Sequence, residues 1–313
     1  YITTMMIKNQ ENGERIMKLV KIGKTMVAGL CIAATLAGAA LPTMALSPAG
    51  YTSLAKLEEE NEATTPEQVE AQINQIGPIT LESATAIANA QGAYDSLPDE
   101  WKAMVSNYET LKLATEELED LQVENLTEKL RKSLYKEHDD VENFDIYYWS
   151  KWPLSTQTTF ILPYFCVKND EIQPIRLIYT YYGGSWIFWN SIVYSVDGEV
   201  YKKYFNTESS QKVLKEIGSN YTSVWEVRDE IADPVEIEML KKSVSAKKAV
   251  YRFKGSDSQY DYQMSSYQND REAITKVLDA YESLMSVSPN VQKRVLENLE
   301  SHKLGSKFVK IAY

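Results

Sequence analysis

The residues that most often carry catalytic chemistry are scarce in this chain. Among its 313 residues there are 2 His, at positions 138 and 302, and a Ser-His-Asp or Cys-His arrangement would have to use one of them. Both His138 and His302 lie in polar, charged surroundings that predict exposed helix ends. The sequence contains no Gly-x-Ser-x-Gly elbow, no Cys/His spacing typical of zinc sites and no Gly-rich phosphate loop. It therefore assigns no catalytic residue, no metal site and no cofactor.

Carboxylates are the remaining candidates for catalysis. The chain has 44 Asp+Glu, and two of them at the separation that glycosidases use would not be visible in sequence. The mixed-charge run from Glu226 to Glu230 predicts a solvated strand edge or loop. Cys166 lies in the apolar run 160–167, which predicts a buried small hydrophobic residue, since a catalytic thiol needs a nearby base.

The one group of residues with binding character is aromatic. The runs 147–152 and 179–189 place many rings close together in sequence. Alternate residues of a strand face opposite ways, so Tyr179 and Tyr181 are expected on one face and Tyr182 on the other. Either both faces are buried under helices, or one face forms an exposed platform that binds sugars or peptides by stacking. The candidate ligand-binding residues are Trp149, Trp152, Tyr182, Trp186 and Trp189.

The elements that must position these rings are predicted to be antiparallel strands with a few helices. Aromatic and β-branched runs predict strands, and Asp197-Gly198 between two of them is a strong hairpin signal. Pro163 predicts an edge position. The predicted strands are 144–149, 158–167, 174–182, 186–196, 200–205, 223–227, 249–254 and 260–264. Residues 123–313 are therefore expected to form a strand-rich α+β domain, with a connecting helix near 126–137 and helices capped by Asp233, by Asn269 or Asp270, and by Ser288.

A helical module is predicted at 65–122, before the strand-rich domain. Thr65-Pro66-Glu67-Gln68 is typical of a helix start, because Thr caps and Pro fits the first turn. Apolar residues at helical spacing predict three amphipathic helices that form a small bundle. The fold class expected for the whole chain is α+β, a small three-helix module followed by an antiparallel-sheet domain with flanking helices.

Residues 65–118 also carry a family pattern. Its segments are Ile73-x-x-Ile76-Gly77, Ala93-Tyr94-Asp95-x-Leu97 and Val105-x-Asn107-Tyr108-x-x-Leu111. This pattern resembles the FIVAR-like helical repeat modules of Gram-positive secreted and cell-surface proteins. The resemblance implies a spacer or adhesive module on a surface protein and not a catalyst. The strand-rich domain looks like uncharacterised domains in exported proteins of low-GC Gram-positive bacteria, which implies no mechanism.

Residues 17–45 have the order of a secretory signal peptide. The basic residues Lys18, Lys21 and Lys24 precede the apolar run 26–41. Pro42-Thr43-Met44-Ala45 follows, and cleavage is expected after Ala45. The alternative is a permanent membrane helix, but the run is short against the roughly 20 residues that a span needs. Residues 1–16 are interpreted as an untranslated leader, since purine-rich codons before Met17 would resemble a bacterial ribosome-binding site. Residues 46–64 are expected to be a polar linker.

The charge balance restricts the partners. The chain carries 33 Lys+Arg against 44 Asp+Glu, a net charge of −11, and residues 1–45 hold five of the basic but only two of the acidic residues. The exported part is therefore more acidic than the whole, and it repels nucleic-acid backbones. We expect a secreted or surface-located, non-catalytic binding module whose partner is a cell-wall glycan or a surface protein. Membrane attachment is expected only if the signal peptide stays uncleaved, and the alternative function is a carboxylate-dependent hydrolase of wall or other glycans.

Overall fold

The structure, a computed structural model, is an α+β protein in which helices and antiparallel sheets share the chain, as predicted. It describes residues 64–151, 158–205, 212–217 and 222–299, with the backbone alone for 212–217 and 222. The predicted leader, the signal peptide, residues 46–63 of the linker, Trp152 and His302 lie outside the described residues. As a whole the chain is a helix-plus-sheet protein and not a helical bundle.

The described part of the chain begins with four α-helices. They are α1 (Pro66–Asn74), α2 (Ala84–Asp95), α3 (Asp99–Lys102) and α4 (Tyr108–Ser133). Thr65 caps α1 as its sequence predicts, since its side chain accepts a hydrogen bond from Gln68 N while the Gln68 side chain reaches back to Thr65 N. Buried apolar residues from these helices form a small core of their own, and the rings of Tyr94 and Tyr108 stack beside it at 3.8 Å.

Helix α4 belongs to two hydrophobic cores. Leu111, Ala114 and Leu118 in its first half join the small helical core, whereas Val123 and Leu126 in its second half join the core of the strand-rich part. The predicted boundary at 122/123 falls inside this continuous helix. The connecting helix predicted for 126–137 is wrong at its end, because the chain becomes a strand at residue 134 and pairs there with the next strand.

The strand-rich part contains two antiparallel sheets. The first has seven strands in the order β1-β2-β3-β5-β9-β8, with β4 paired to β3. Pro163 is in the third strand, but the ladder with the second strand stops at Phe165, so this proline occupies a local edge. The strands are β1 (Leu134–Asp139), β2 (Phe144–Trp149), β3 (Phe160–Lys168), β4 (Glu171–Ile172), β5 (Arg176–Gly183), β8 (Lys212–Ile217) and β9 (Thr222–Ile231).

The second sheet has four strands in the order β11-β10-β6-β7. They are β6 (Ser191–Val196), β7 (Glu199–Tyr204), β10 (Ala249–Lys254) and β11 (Gln259–Tyr262). The predicted Asp197-Gly198 hairpin joins β6 to β7, and both turn residues have positive φ, 46° and 96°, which a two-residue primed turn requires. The strand predicted for 186–196 is wrong over its first five residues, because 186–190 form a loop.

Three further helices, one between β9 and β10 and two after β11, complete the large core. They are α5 (Pro234–Ser245), α6 (Gln268–Met285) and α7 (Pro289–Glu297). Helix α6 packs on β2 and β3, where Tyr281 meets Phe165 edge to face, and α7 packs on α4. Asp233 and Ser288 cap α5 and α7 as predicted. Helix α6 begins at Gln268, so Asp270 lies in its first turn and is not its cap.

A buried carboxylate ties α5 to both sheets. Glu236 is fully buried, and it accepts hydrogen bonds from the Tyr179 hydroxyl at 2.5 Å, from the Tyr194 hydroxyl at 2.8 Å and from Lys203 Nζ. It also accepts the Asp233 backbone N–H in the capping box. Burial, and then the Glu236 charge or the neighbouring tyrosine, raises the pKa of Tyr179 and Tyr194, so both stay neutral donors.

Candidate functional site

An exposed aromatic pair lies in the loop between β5 and β6. The rings of Trp186 and Phe188 are stacked, with centroids 5.8 Å apart and planes inclined by 19°. Phe188 is 61 % exposed, whereas Trp186 is half-buried and packs against the large core. We call residues 184–190 the aromatic loop. It presents one large apolar ring to solvent and supports it with a second ring from the same turn.

The backbone of the aromatic loop is held in an unusual conformation. Phe188 has a φ of +46°, a region that bulky side chains rarely occupy. Such strain persists only where the surrounding structure enforces it, and it is concentrated at functional sites. A loop that only connected two strands would not need an exposed phenylalanine at this position.

Glu226 on β9 enforces this conformation. Its side chain is fully buried, and Oε1 accepts the backbone N–H groups of Ile187 at 2.6 Å and Phe188 at 2.9 Å, while Oε2 accepts that of Trp189 at 3.1 Å. A carboxylate that accepts several backbone N–H groups is well compensated in a buried site. The loop also lies against Gly255, where an added Cβ would be 1.8 Å from the carbonyl oxygen of Ile187. The loop is therefore fixed from two elements at once.

Two of the five predicted ligand-binding residues are part of the core. Trp149 is 2 % exposed and Trp189 is 0 % exposed, so the prediction that they belong to an exposed platform is wrong. Trp189 makes edge-to-face contacts with Phe205 and Phe253, each at 5.2 Å. The core alternative left open by the sequence therefore applies to both tryptophans. Trp152 lies outside the described residues.

The other two predicted residues keep access to solvent. Trp186 is in the aromatic loop, and Tyr182 is half-buried on β5 opposite Trp225, with the two rings 5.3 Å apart. The Tyr182 hydroxyl shares a hydrogen bond of 3.0 Å with Ser223. Tyr179 and Tyr181 point to the opposite face, where they meet Phe205 and Tyr260. The alternation expected from the sequence thus separates Tyr182 from its neighbours.

Sequence reasoning missed Phe188, Trp225 and Glu226. The expectation of a solvated edge at 226–230 is wrong for Glu226 and Arg228, which are both buried. Arg228 has its guanidinium 5.2 Å from the ring centroid of Trp189. The sequence did contain a signal. Glu226 and Arg228 flank Val227, and the run directly follows Val224-Trp225. This pattern is also typical of a central strand whose polar side chains on one face bind groups of a neighbouring element.

The surroundings of Cys166 and His138 are those of residues with a structural role. Cys166 is a buried free cysteine as predicted, and burial raises the pKa of its thiol to about 12, so the reactive thiolate is disfavoured. His138 is on strand β1, not at the predicted helix end, and its Nδ1 lies 2.8 Å from Asp145 Oδ1. Among the described residues no cluster of His, Cys, Asp or Glu is arranged to hold a metal ion.

Among the described residues, three carboxyl groups have raised pKa values, and they lie on different elements of the fold. Burial raises the pKa of Asp229, whose carboxylate accepts the Tyr164 hydroxyl at 2.6 Å and Arg176 Nε at 3.0 Å. Burial likewise raises the pKa of Glu137 on β1, and it raises that of Asp270 to about 6. Asp270 lines a cavity of about 320 Å³, and none of the other described residues in its lining has a carboxyl group.

Comparison of the chain with protein-family models, with curated proteins and with solved structures gives no match. The FIVAR-like resemblance of residues 65–118 therefore stays a prediction that rests on its own residues. No helix within the described part of the chain has both the length and the apolar character needed to cross a bilayer.

Proposed function

We propose that this protein is an exported, non-catalytic bacterial protein that acts as a cell-envelope binding or interaction module, located in the secreted fraction or on the outer face of the envelope. Export rests on the signal-peptide pattern at 17–45. The observation that carries the binding role is the stacked Trp186–Phe188 pair on the aromatic loop. A buried carboxylate holds three consecutive N–H groups there and keeps a strained, solvent-exposed ring in one position.

The chemistry of the pair suits a partner with a flat apolar face. Exposed aromatic rings bind through buried apolar area and stacking, and a preorganised loop loses little entropy when the partner docks. The C–H face of a pyranose ring in a wall glycan has this shape, and so does an apolar side chain of a surface protein. The acidic charge of the chain disfavours a nucleic-acid partner.

The alternative, a carboxylate-dependent glycan hydrolase, has less support. Hydrolysis of a glycosidic bond commonly uses two carboxyl groups on opposite sides of one cleft, one of them with a raised pKa. Of the three carboxyl groups with raised pKa values, Asp229 is occupied by Arg176, and Glu137 accepts the Tyr148 hydroxyl. Asp270 is the single carboxyl among the described residues that line its cavity. The described geometry thus favours binding over catalysis.

Sedimentation of the purified protein with insoluble cell-wall material tests the proposal. Two wall preparations are used, one native and one stripped of protein with hot detergent. Trp186→Ala and Phe188→Ala are compared with Tyr204→Ala, which removes another exposed ring from β7, an edge strand of the second sheet. Folding of every variant is checked by circular dichroism.

The expected result is binding that weakens at least fivefold in Trp186→Ala and Phe188→Ala but not in Tyr204→Ala. Losing one stacked ring contact costs about 1 kcal/mol of binding free energy, which corresponds to this factor. Retention on stripped wall indicates a glycan, and retention on native wall alone indicates a surface protein. Equal sedimentation of all variants, or none by the unaltered protein, would refute the aromatic loop as an envelope-binding site.

A further inference from the structure

The cavity that Asp270 lines, at the start of α6, has a chemistry unlike that of the aromatic loop. Its volume is about 320 Å³, enough for a small organic molecule. It has no residue in common with the aromatic loop. We call it the Tyr267 cavity, and it is lined by Thr158, Thr159, Tyr262, Ser266, Tyr267, Gln268, Asn269 and Asp270.

The charge of the Tyr267 cavity is unbalanced. Among the described residues of its lining, Asp270 is the one that carries a charge, and none is Lys, Arg or His. The Asp270 carboxyl accepts a hydrogen bond from the Tyr262 hydroxyl. Burial raises the pKa of Asp270 to about 6, and the Tyr262 hydrogen bond lowers it only in part, with no basic side chain contributing. At neutral pH the cavity therefore holds a partly buried anion, which is unfavourable without a counter-charge.

Two tyrosine rings stand beside this anion. Tyr262 is buried, and Tyr267 stacks on it with centroids 4.8 Å apart and planes inclined by 22°. Tyr267 nevertheless remains 45 % exposed. The face of a tyrosine ring attracts cations because of its quadrupole, and an adjacent carboxylate strengthens that attraction. The ring and the carboxylate therefore favour the same kind of ligand.

The remaining lining groups agree with a cationic ligand. The side-chain oxygens of Ser266 and Asn269 can accept hydrogen bonds from an ammonium group. A phosphate or carboxylate ligand would meet the Asp270 charge with no cation to offset it. A neutral sugar could stack on Tyr267, but it would leave the buried charge uncompensated.

We propose that the Tyr267 cavity binds a small organic cation, with its ammonium group between the Tyr267 ring and the Asp270 carboxylate. The site is independent of the envelope-binding proposal, since it uses other residues and another chemistry. An acidic protein surface also draws cations toward such a site. The ligand class is an amine or quaternary ammonium compound small enough for the cavity.

The test is a titration of the purified full chain, followed by NMR, with choline and n-butylammonium as probes. The neutral carbon isostere of choline, 3,3-dimethylbutan-1-ol, separates charge from shape, and N-acetylglucosamine represents a sugar ligand. Each probe is raised to about 50 mM at constant ionic strength, because single small cations bind with Kd values on the order of millimolar. Trp186→Ala is titrated in parallel.

We expect at least one of the two cations to bind and the neutral isostere to bind at least tenfold more weakly. Asp270→Asn, which keeps the side-chain shape, is expected to weaken binding about tenfold or more, and Tyr267→Leu about threefold. Asp257→Asn, at an exposed carboxylate in the turn between β10 and β11, and Trp186→Ala should leave binding unchanged. Binding of the isostere as tight as that of choline, binding of the sugar alone, or no response to either cation would overturn the proposal.

Discussion

Replacement of Glu226 by Gln tests whether this carboxylate positions the aromatic loop. The unaltered side chain gives two oxygens to three backbone N–H groups. Gln keeps one oxygen, which can still accept the N–H groups of Ile187 and Phe188, but its NH2 group then faces the N–H of Trp189. The Trp189 N–H is then a buried donor without an acceptor, which costs about 1–3 kcal/mol. The hydrogen bonds from Ile187 and Phe188 are no longer charge-assisted, which costs about 1 kcal/mol more. The expected loss of unfolding free energy is about 2–4 kcal/mol.

Two measurements check this expectation. Urea denaturation gives the change in unfolding free energy, and hydrogen exchange gives the protection of the Ile187, Phe188 and Trp189 amides. We expect the protection of these amides to fall more than that of the β3–β5 ladder, because the loop opens before the sheet does. The matched control is Glu171→Gln, an exposed carboxylate on β4 of the same sheet, with an expected change within about 0.5 kcal/mol.

The reasoning would be refuted if Glu226→Gln lost less than about 0.5 kcal/mol of unfolding free energy and kept full protection of the three amides. In that case the hydrogen bonds of Glu226 would be incidental to the loop. A large loss of stability with uniform loss of protection would show that Glu226 supports the whole sheet and not the loop in particular.

Three further predictions follow from other sites. Phe188→Gly should be more stable than Phe188→Ala by about 1 kcal/mol in urea denaturation, because only Gly adopts the positive φ without strain, and both should bind the wall equally weakly. Glu236→Leu should destabilise the protein by about 3–5 kcal/mol, because Lys203 loses its buried partner, whereas the double variant with Lys203→Met should recover part of that loss. Asp270 has a folded pKa of about 6 against an ordinary 3.8, so the folded protein binds its proton more tightly than the unfolded chain does. Ionised Asp270 therefore destabilises the fold above pH 6, and this effect disappears as the pH falls toward 4. Unfolding free energies at pH 4 and pH 7 should show the unaltered protein gaining up to about 3 kcal/mol on acidification relative to Asp270→Asn. Parallel pH profiles of the two proteins would contradict this assignment.

Local patterns in the sequence predicted the elements that depend on local physics. The caps at Thr65, Asp233 and Ser288 and the Asp197-Gly198 turn are formed where they were expected, because each depends on hydrogen bonds or φ values within a few residues. The α+β class followed in the same way from strands that succeed one another with few helices between them.

Long-range contacts decided what the sequence could not show. The aromatic and β-branched run at 186–189 has strong β propensity, yet residues 186–190 form a loop. The reason is that the N–H groups of Ile187, Phe188 and Trp189 donate to the Glu226 carboxylate, nearly 40 residues further along the chain. Residues 134–137 continue a helical pattern, yet they pair with β2. Whether an aromatic residue of a strand faces solvent also depends on which element packs over it, and for this reason Trp189 and Trp186 could not be separated beforehand.

Helix α4 has a mechanical consequence for the molecule. The helix runs for 26 residues, about 39 Å, and it passes from one core into the other without an intervening hinge. Tension applied at the helical end of the molecule is therefore transmitted through a stiff rod to Leu134, the first residue of edge strand β1. Such a pull loads the packing of α4 against α7 and the large core before the β1–β2 ladder, so the molecule should yield at these contacts and then by peeling its edge strand, while the aromatic loop stays in place.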